Sequence, residues 1–533
     1  MDAGLAALAV GRWADARAAF EAALASDLRP QALDGLCEAM WWLGDPHRSN
    51  ELREQAYARF RRTGDNAAAV LAALGIAVTY EANFGNGPAA NGWVARAERL
   101  LTGDDDPLAP TVLANRAYVT ADLPTAIRTY ERALAAARAT GDVDLELVCL
   151  SGLGERLVMS GQVEAGLSLV DEAMAGTLGG ECTRLDTVVY ASCDMLVACD
   201  LAHDLERAAR WCQVADRFIR DYGCPFLSTR CRTIYGGLLV ITGDWTKGER
   251  ELSTAIAMSQ GAGPAVAADA YARMADLRLR QGRIEEASSL LTRYEDQTRA
   301  QLAAAAVRLA RGDTTGAITL LQRRLAQAPD GHIGSAPTLA LLVRASLAID
   351  DVDAARRAAA RLERLADEQR SSYTEALAAA AGGHLCLALD DSDRCQNLLD
   401  TALRLFVELG MPHDAARIRL DLARLYAERR PEAAIGEAET ALGTFERIGA
   451  VTDADSAAAL LRSLGVAPRT GRRGVGVLTD RERQVLHLIG LGLSNPEIAA
   501  RLHISRKTAA HHVSSVLTKL GVRNRTEAVA HLR

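Results

Sequence analysis

Gly243-Asp-Trp-Thr-Lys-Gly-Glu-Arg-Glu-Leu-Ser-Thr-Ala255 decides the architecture of most of this chain. A glycine permits a positive φ where one helix ends and the chain turns. Trp245, two positions on, covers that turn, and Gly248, three further, lets the paired helix approach closely. Leu252 then fills the groove, and a second small residue, Ala255, follows. The same offsets recur as Gly11, Trp13, Ala16, Phe20 and Ala23, and as Gly161, Val163, Gly166, Val170 and Ala173. Gly282, Ile284, Ala287 and Leu291 repeat the first part of the pattern, as do Gly312, Thr314, Ala317 and Leu321. Weaker copies start near Gly44, Ala121, His203, Asp350 and Asp390, with an unassigned stretch between Gly44 and Ala121.

Apart from that stretch the starts lie roughly 30–42 residues apart, the range of helix-hairpin repeats. Stacked hairpins form a solenoid whose concave face takes a peptide, a protein or a small ligand; a rigid spacer or dimerisation scaffold is the other use. The pattern resembles the second-helix half of the tetratricopeptide repeat, from Gly11 to about Leu460. Copies are degenerate, and their spacing is often nearer about 40 than 34, which predicts helices longer than that repeat's norm. The repeat domain is expected to span 1–462.

Composition agrees. Hydrophobic residues make up 49% and aromatics only 5%, which suits long helices packed through small residues. From Arg469 to Arg533 there are twelve Arg/Lys against four Asp/Glu, so a net −7 chain carries +8 in its last segment. An acidic body with a basic end points to one nucleic-acid-binding module. The start, Met1-Asp2-Ala3, is unlike a signal peptide, and no uninterrupted apolar run approaches the ~18–20 residues of a spanning helix. A cytoplasmic, nucleoid-associated protein is expected. Ten cysteines without a short-spaced framework fit a reducing compartment. Cys193, Cys199, Cys212, Cys224 and Cys231, with Cys182 and His203 nearby, make a metal or redox site thinkable. The absence of a C-x2-C pair favours a role in the helix core, and no metal is expected. The lysines are Lys247, Lys507 and Lys519, none of them in a Walker A loop or a receiver-domain setting. No nucleophile–base–acid set is present, so neither catalytic residues nor a cofactor are expected.

Gly, Pro and Arg without helical period mark 463–477 as a linker, whose Arg469, Arg472 and Arg473 are solvated or graze phosphates. Four short helices follow. Thr479-x-x-Glu482 reads as a capping box, Ser494-Asn-Pro-Glu497 opens the second helix, Ser505 caps the third, and Asn524-Arg-Thr-Glu527 opens the last. Leu486, Ile489, Ile498, Leu502, Val513, Val516, Leu517 and Leu520 form the expected core, with Leu493, Ile504 and Val522 in the connections. A short helix and a tight turn into a third helix constitute a helix-turn-helix.

Leu478 to Leu486, Gly492 to Ala499, Ile504 to Thr508, and His512-Val513 through Lys519-Leu-Gly-Val522 resemble the LuxR-type DNA-binding domain, nearly continuously over 478–533. The resemblance implies an all-α chain: a tetratricopeptide-like solenoid followed by a four-helix LuxR-type module that reads double-stranded promoter DNA. It places base-facing positions at Ala510, His511 and Ser514. Phosphate contacts fall among Ser505, Lys507, Thr508 and Lys519, with Arg506 and Ser515 completing the DNA-facing set. The family's usual lysine is here Ala510, so the operator cannot be carried over and His511 becomes the distinctive reader. His512, about 100° away, faces inward. In this family the last helix contributes to pairing, which nominates Thr526, Val529, Ala530 and Leu532 as a homodimer surface. The combination resembles the C-terminal part of large ATP-binding LuxR regulators, without their nucleotide-binding motif. The expected function is a sequence-specific transcription regulator whose repeats sense a ligand or protein; the rival is an interaction scaffold tethered to DNA.

Overall fold

The computed structural model describes residues 1–466 and 480–530, apart from Leu28, Asp104, Gln260, Arg370, Asp390, Asp391, His503, Gly521 and Arg523. The repeat start at Asp390, Thr479 of the expected capping box, and 467–477 of the linker therefore lie outside the described residues. The fold is all-α, and no strand occurs among the described residues. The chain divides into two compact units, Met1–Leu425 and Tyr426–Arg533, so the division falls ahead of the break expected at 462. The helices Pro431–Ile448 and Val451–Ser463 belong to the second unit and pack on one another.

In the first unit, antiparallel helix pairs follow one another in chain order. Several of their turns are built on two residues. Gly243 has φ +91, and the next amide, Asp244 N–H, donates to Leu239 O of the preceding helix at 2.9 Å. The Asp244 carboxylate accepts from Lys247 N–H at 3.1 Å, capping the following helix Trp245–Met258. One aspartate thus closes one helix with its backbone and opens the next with its side chain, a cap worth about 1 kcal/mol. The pair recurs at Gly44-Asp45 and Gly312-Asp313. His203 (φ +55) and Asp350 (φ +57), two of the weaker starts, hold the glycine position in the same left-handed conformation ahead of Asp204 and Asp351.

The small residues do what their spacing requires. Ala16, Ala173, Ala255, Ala287 and Ala317 are wholly buried, as are the groove-filling Phe20, Val170, Leu252 and Leu321. Helices Val143–Met159 and Val163–Gly179 come closest at Gly154 and Gly166, where a Cβ on Gly154 would sit 2.6 Å from Gly166 O. Helices of 17 and 18 residues, such as Leu185–Ala202, Leu205–Tyr222 and Pro225–Ile241, account for the long period. The stretch after Gly44 contains helices too: Pro46–Thr63, Asn66–Thr79, a π-helical turn Tyr80–Phe84, Gly87–Glu98 and Ala109–Val119. Asn66–Phe84 is long and apolar enough to cross a membrane by length and composition. It is interrupted by Glu81 and Asn83, and Ala69, Val70, Ala73, Ile76 and Ala77 bury it in the core.

Winding brings distant repeats together. Trp13 Nε1 donates to Tyr222 O at 2.5 Å, and Asn83 Nδ2 to Ala262 O at 2.9 Å. His203 meets Tyr373 edge-on, and Arg280 reaches His413 and Asp414. The first unit is therefore a solenoid wound tightly enough for successive turns to touch. Gly154→Ala is expected to destabilise it by about 1–3 kcal/mol, because the clash is with backbone that cannot rotate away. Chemical denaturation of the two proteins side by side measures this; equal midpoints would show that the helices separate without strain.

Candidate nucleic-acid interface

The C-terminal module is assembled from the helices Asp480–Gly490, Asn495–Arg501, Arg506–Lys519 and Arg525–Ala530. Val485, Leu486, Leu488, Ile489, Ile498, Ala499, Ala509, Val513, Val516 and Ala528 form its core. Leu493, Leu502, Ile504, Leu517, Leu520 and Val522 pack against that core. Val485, Leu488, Ala499, Ala509 and Ala528 were not in the sequence-derived set: three are small, and two share the first helix with residues already chosen.

Polar bonds lock the module's geometry. Glu497 accepts from Ser494 N–H and hydroxyl at 2.7 and 2.6 Å, bonds that hold its carboxyl below the usual carboxylate range. Arg481 donates to Leu502 O at 2.7 Å and Arg525 to Leu493 O at 2.9 Å, so two arginines brace the connections between helices. Asn524 accepts from Glu527 N–H at 3.0 Å and opens the last helix. Ser505 caps the third helix by accepting from Thr508 N–H at 3.0 Å, and its oxygen lies 2.7 Å from the Thr508 hydroxyl.

Burial fixes the phase of the third helix. Ala509, Val513 and Val516 face inward, so Arg506, Ala510 and Ser514 are exposed along the opposite side, with Ser505 and Thr508 exposed at its start. By helical phase, positions 507 and 511 fall on that outward face. The side chains of Lys507, His511, Lys519, Thr526, Val529 and Ala530, and all of Leu532, lie outside the described residues. His512 is half-buried. Ser515 is also half-buried, and its hydroxyl donates to Glu482 of the first helix at 2.6 Å. Glu482 is only 4% exposed, so this bond clamps the third helix onto the first. It was missed in the sequence because Glu482 reads equally well as a capping residue.

A helix-turn-helix module on a wound helical-repeat body defines a regulator-type protein of two parts. A family described as "MalT-like TPR region" matches residues 140–412, just over half of the chain, and the chain belongs to it. The family "Bacterial regulatory proteins, luxR family" matches residues 476–532 and gives the C-terminal module its class. The response regulator protein VraR of Staphylococcus aureus is 51% identical over 55 residues, 10% of this chain. The VraR proteins of Staphylococcus saprophyticus and Staphylococcus epidermidis match equally. This chain spans about a quarter (26%) of the length of these curated relatives. Among solved structures, the APC/C hetero-tetramer Cut9–Hcn1 aligns at TM-score 0.49 and 15% identity, over 87% of this chain and 95% of that one. Yeast Tom70 aligns at TM-score 0.33 and 12% identity, over 86% and 95%.

The cysteines pack as core residues. Cys199, Cys224 and Cys231 are buried with Leu196, Leu227 and Met195, and burial pushes the Cys193 and Cys224 thiols up to about 12. Among the described residues no group of three His, Cys, Asp or Glu is placed to hold a metal. Sequence reading missed a charged inner face, carried by the helix that precedes each turn. Arg230 pairs with Asp269 at 2.9 Å; Arg273 pairs with Asp269 at 3.0 Å and Asp200 at 2.6 Å. Burial opposes ionisation of Asp269, but Arg273, Arg230 and Arg299 outweigh it and hold the carboxyl well below its usual range. Ser515→Ala is expected to loosen the third helix of the C-terminal module by about 1.5–3 kcal/mol, the range for a bond to a charged group. Hydrogen exchange at the Val513 and Val516 amides reads it, and unchanged protection would show that apolar packing alone holds the helix.

Proposed function

We propose that this protein is a sequence-specific, DNA-binding transcription regulator acting in the cytoplasm at the nucleoid, with its repeat region sensing a small ligand or a protein. The observation that carries the reading is the third helix of the luxR-family module. Its inward face is fully used by Ala509, Val513 and Val516, while Arg506, Ala510 and Ser514 remain exposed. Such a helix, capped at Ser505 and small at Ala510, suits insertion into a major groove. His511 and Ser514 are the proposed readers at base edges. Ser505, Arg506, Lys507, Thr508 and Lys519 are the proposed phosphate contacts, and Ser515 contributes by orienting the helix through Glu482. Promoter DNA is the proposed partner, engaged by a homodimer paired through Thr526, Val529, Ala530 and Leu532, because one module of this size binds DNA near the nonspecific range, about 10⁻⁴–10⁻⁶ M.

Genome-wide binding of the intact protein beside a His511→Ala, Lys507→Ala variant tests this. Sharp peaks sharing an inverted repeat, lost in the variant, are expected. On one such site, His511→Ala should cost about 1–3 kcal/mol and relax sequence preference, whereas Lys507→Ala should weaken all sequences alike and reduce the salt slope by about 1. Diffuse binding that ignores both substitutions would favour a scaffold tethered to DNA.

A further inference from the structure

One spot on the inner face of the wound repeats gathers four arginines and a histidine from five separate stretches of chain. Arg156 lies on Val143–Met159, Arg230 on Pro225–Ile241 and Arg324 on Thr314–Gln327, with Arg299 and His332 in connections and Glu81 in the π-helical turn. The links between them close a circuit. Arg156 and Arg324 both act on His332, which burial and these two charges hold neutral at a pKa of about 4. Arg299 acts on Arg324, and Arg299 and Arg156 both act on Glu81. Arg299 and Glu81, 218 residues apart in sequence, therefore face one another.

At Arg299 and Arg324 the circuit is short of anions. Asp269 is shared by Arg230, Arg273 and Arg299, the last at 3.4 Å. Among the described residues Arg324 bonds a hydroxyl, Thr338 Oγ1 at 3.2 Å, and a carbonyl, Thr298 O at 2.5 Å, with no carboxylate. The Arg299 cation is disfavoured first by Arg230 and then by burial, although its side chain is still 42% exposed: it lines an opening instead of filling a core. Arg156 is 7% exposed and donates from its terminal nitrogens to Glu155 and Tyr118 O, but its Nε is buried without an acceptor. Three carboxylates stand on its Arg156 side: Glu155 pairs with Arg156 at 2.8 Å, Asp194 faces both Arg156 and Arg230, and burial, with Glu155 adding to the push, raises Asp194 and Glu81. A buried guanidinium donor with no acceptor and an uncompensated cation beside it are what an oxyanion relieves. A cleft of about 480 Å³ near Ser288 and Ala304 lacks this property: its Arg308 and Arg311 are paired with Glu295 and Glu285.

We propose that the inner face bounded by Arg156, Arg299, Arg324 and His332 is the binding site for a small ligand carrying a phosphate or carboxylate group. This rests on the reading that the repeat region senses a ligand, and it names that ligand's charge. The enclosure of Arg156 selects a small molecule over a folded partner. The two chief cations stand on different repeats from Arg156 and Glu81, so a bound oxyanion ties one turn of the winding to the next. It also cancels the repulsion between Arg299 and its neighbours.

Calorimetric titration of the full chain with inorganic phosphate and, separately, succinate, each against sodium chloride of matched ionic strength, tests the site. Saturable binding of either anion is expected, and which one binds assigns the phosphate or carboxylate chemistry. Arg299→Gln and Arg324→Gln should each weaken that binding about tenfold or more, and together abolish it. Arg17→Gln, at an exposed pair with Glu21, should leave it unchanged. Neither substitution removes the sole partner of a buried carboxylate, and circular dichroism checks that the variants fold. Failure of both anions to bind the unaltered protein more tightly than chloride overturns the proposal, as does wild-type affinity in a folded double variant. DNA binding by the same preparations is scored separately, so loss of this site leaves the regulator reading standing, and loss of that reading leaves the titration interpretable.

Discussion

The two helices of a repeat reverse direction within a few residues, and the turn has to satisfy the amides and carbonyls that their ends leave open. A left-handed residue followed by aspartate meets both demands at once: the aspartate N–H returns to the helix just finished, as Asp244 does to Leu239 O, and its carboxylate caps the helix about to begin. Because the dipeptide fixes both ends, it fixes the pairing of the helices on either side. Small residues then set how closely the pair approaches, down to backbone contact at Gly154 and Gly166. His203 and Asp350 show how strongly the turn is imposed, since a side chain in the left-handed region costs about 1–2 kcal/mol there.

Repeating one turn at nearly constant angle winds the pairs, and winding gives the two helices of each pair different surroundings. The helix before the turn faces inward, where successive turns crowd together, and there the chain has placed charge. Buried ions need partners, so the inner face becomes a network in which Asp269 serves three arginines. An apolar interior would have been simpler to stabilise. A charged one is specific, because each guanidinium is satisfied only in the winding that brings its partner round.

The local half of this account was legible in the sequence. Turn, cover, small residue and groove-filler recur at short fixed offsets, and the burial of Ala16, Leu252 and Ala317 follows from spacing alone. The region after Gly44 escaped because its π-helical turn at Tyr80–Phe84 breaks the helical period. The inner network escaped for a different reason: Arg273 and Asp200 are 73 residues apart and Arg280 and His413 are 133, separations at which no short pattern connects a pair. In the C-terminal module, core and caps were readable because they too are local. The Ser515–Glu482 clamp was not, since both residues carry an equally good local explanation.

The contacts between successive turns are unequal along the winding. Near the N-terminus they are aromatic and closely packed: Trp42, itself stacked on Trp13 of the preceding helix at 4.4 Å, meets Phe218, and Trp41 meets Phe226. Further along they are mixed: His203 against Tyr373, Trp245 against His413, and Arg280 with His413 and Asp414. Separating the first set exposes several large apolar rings, at about 25 cal/mol for each Å² bared, whereas the second adds one tryptophan and otherwise exposes mostly groups that water solvates well. The winding is therefore anchored at one end and opens at the other at lower cost. A ligand that bridges turns beyond the aromatic anchor acts where opening is easiest, and its binding energy goes directly into the closed winding.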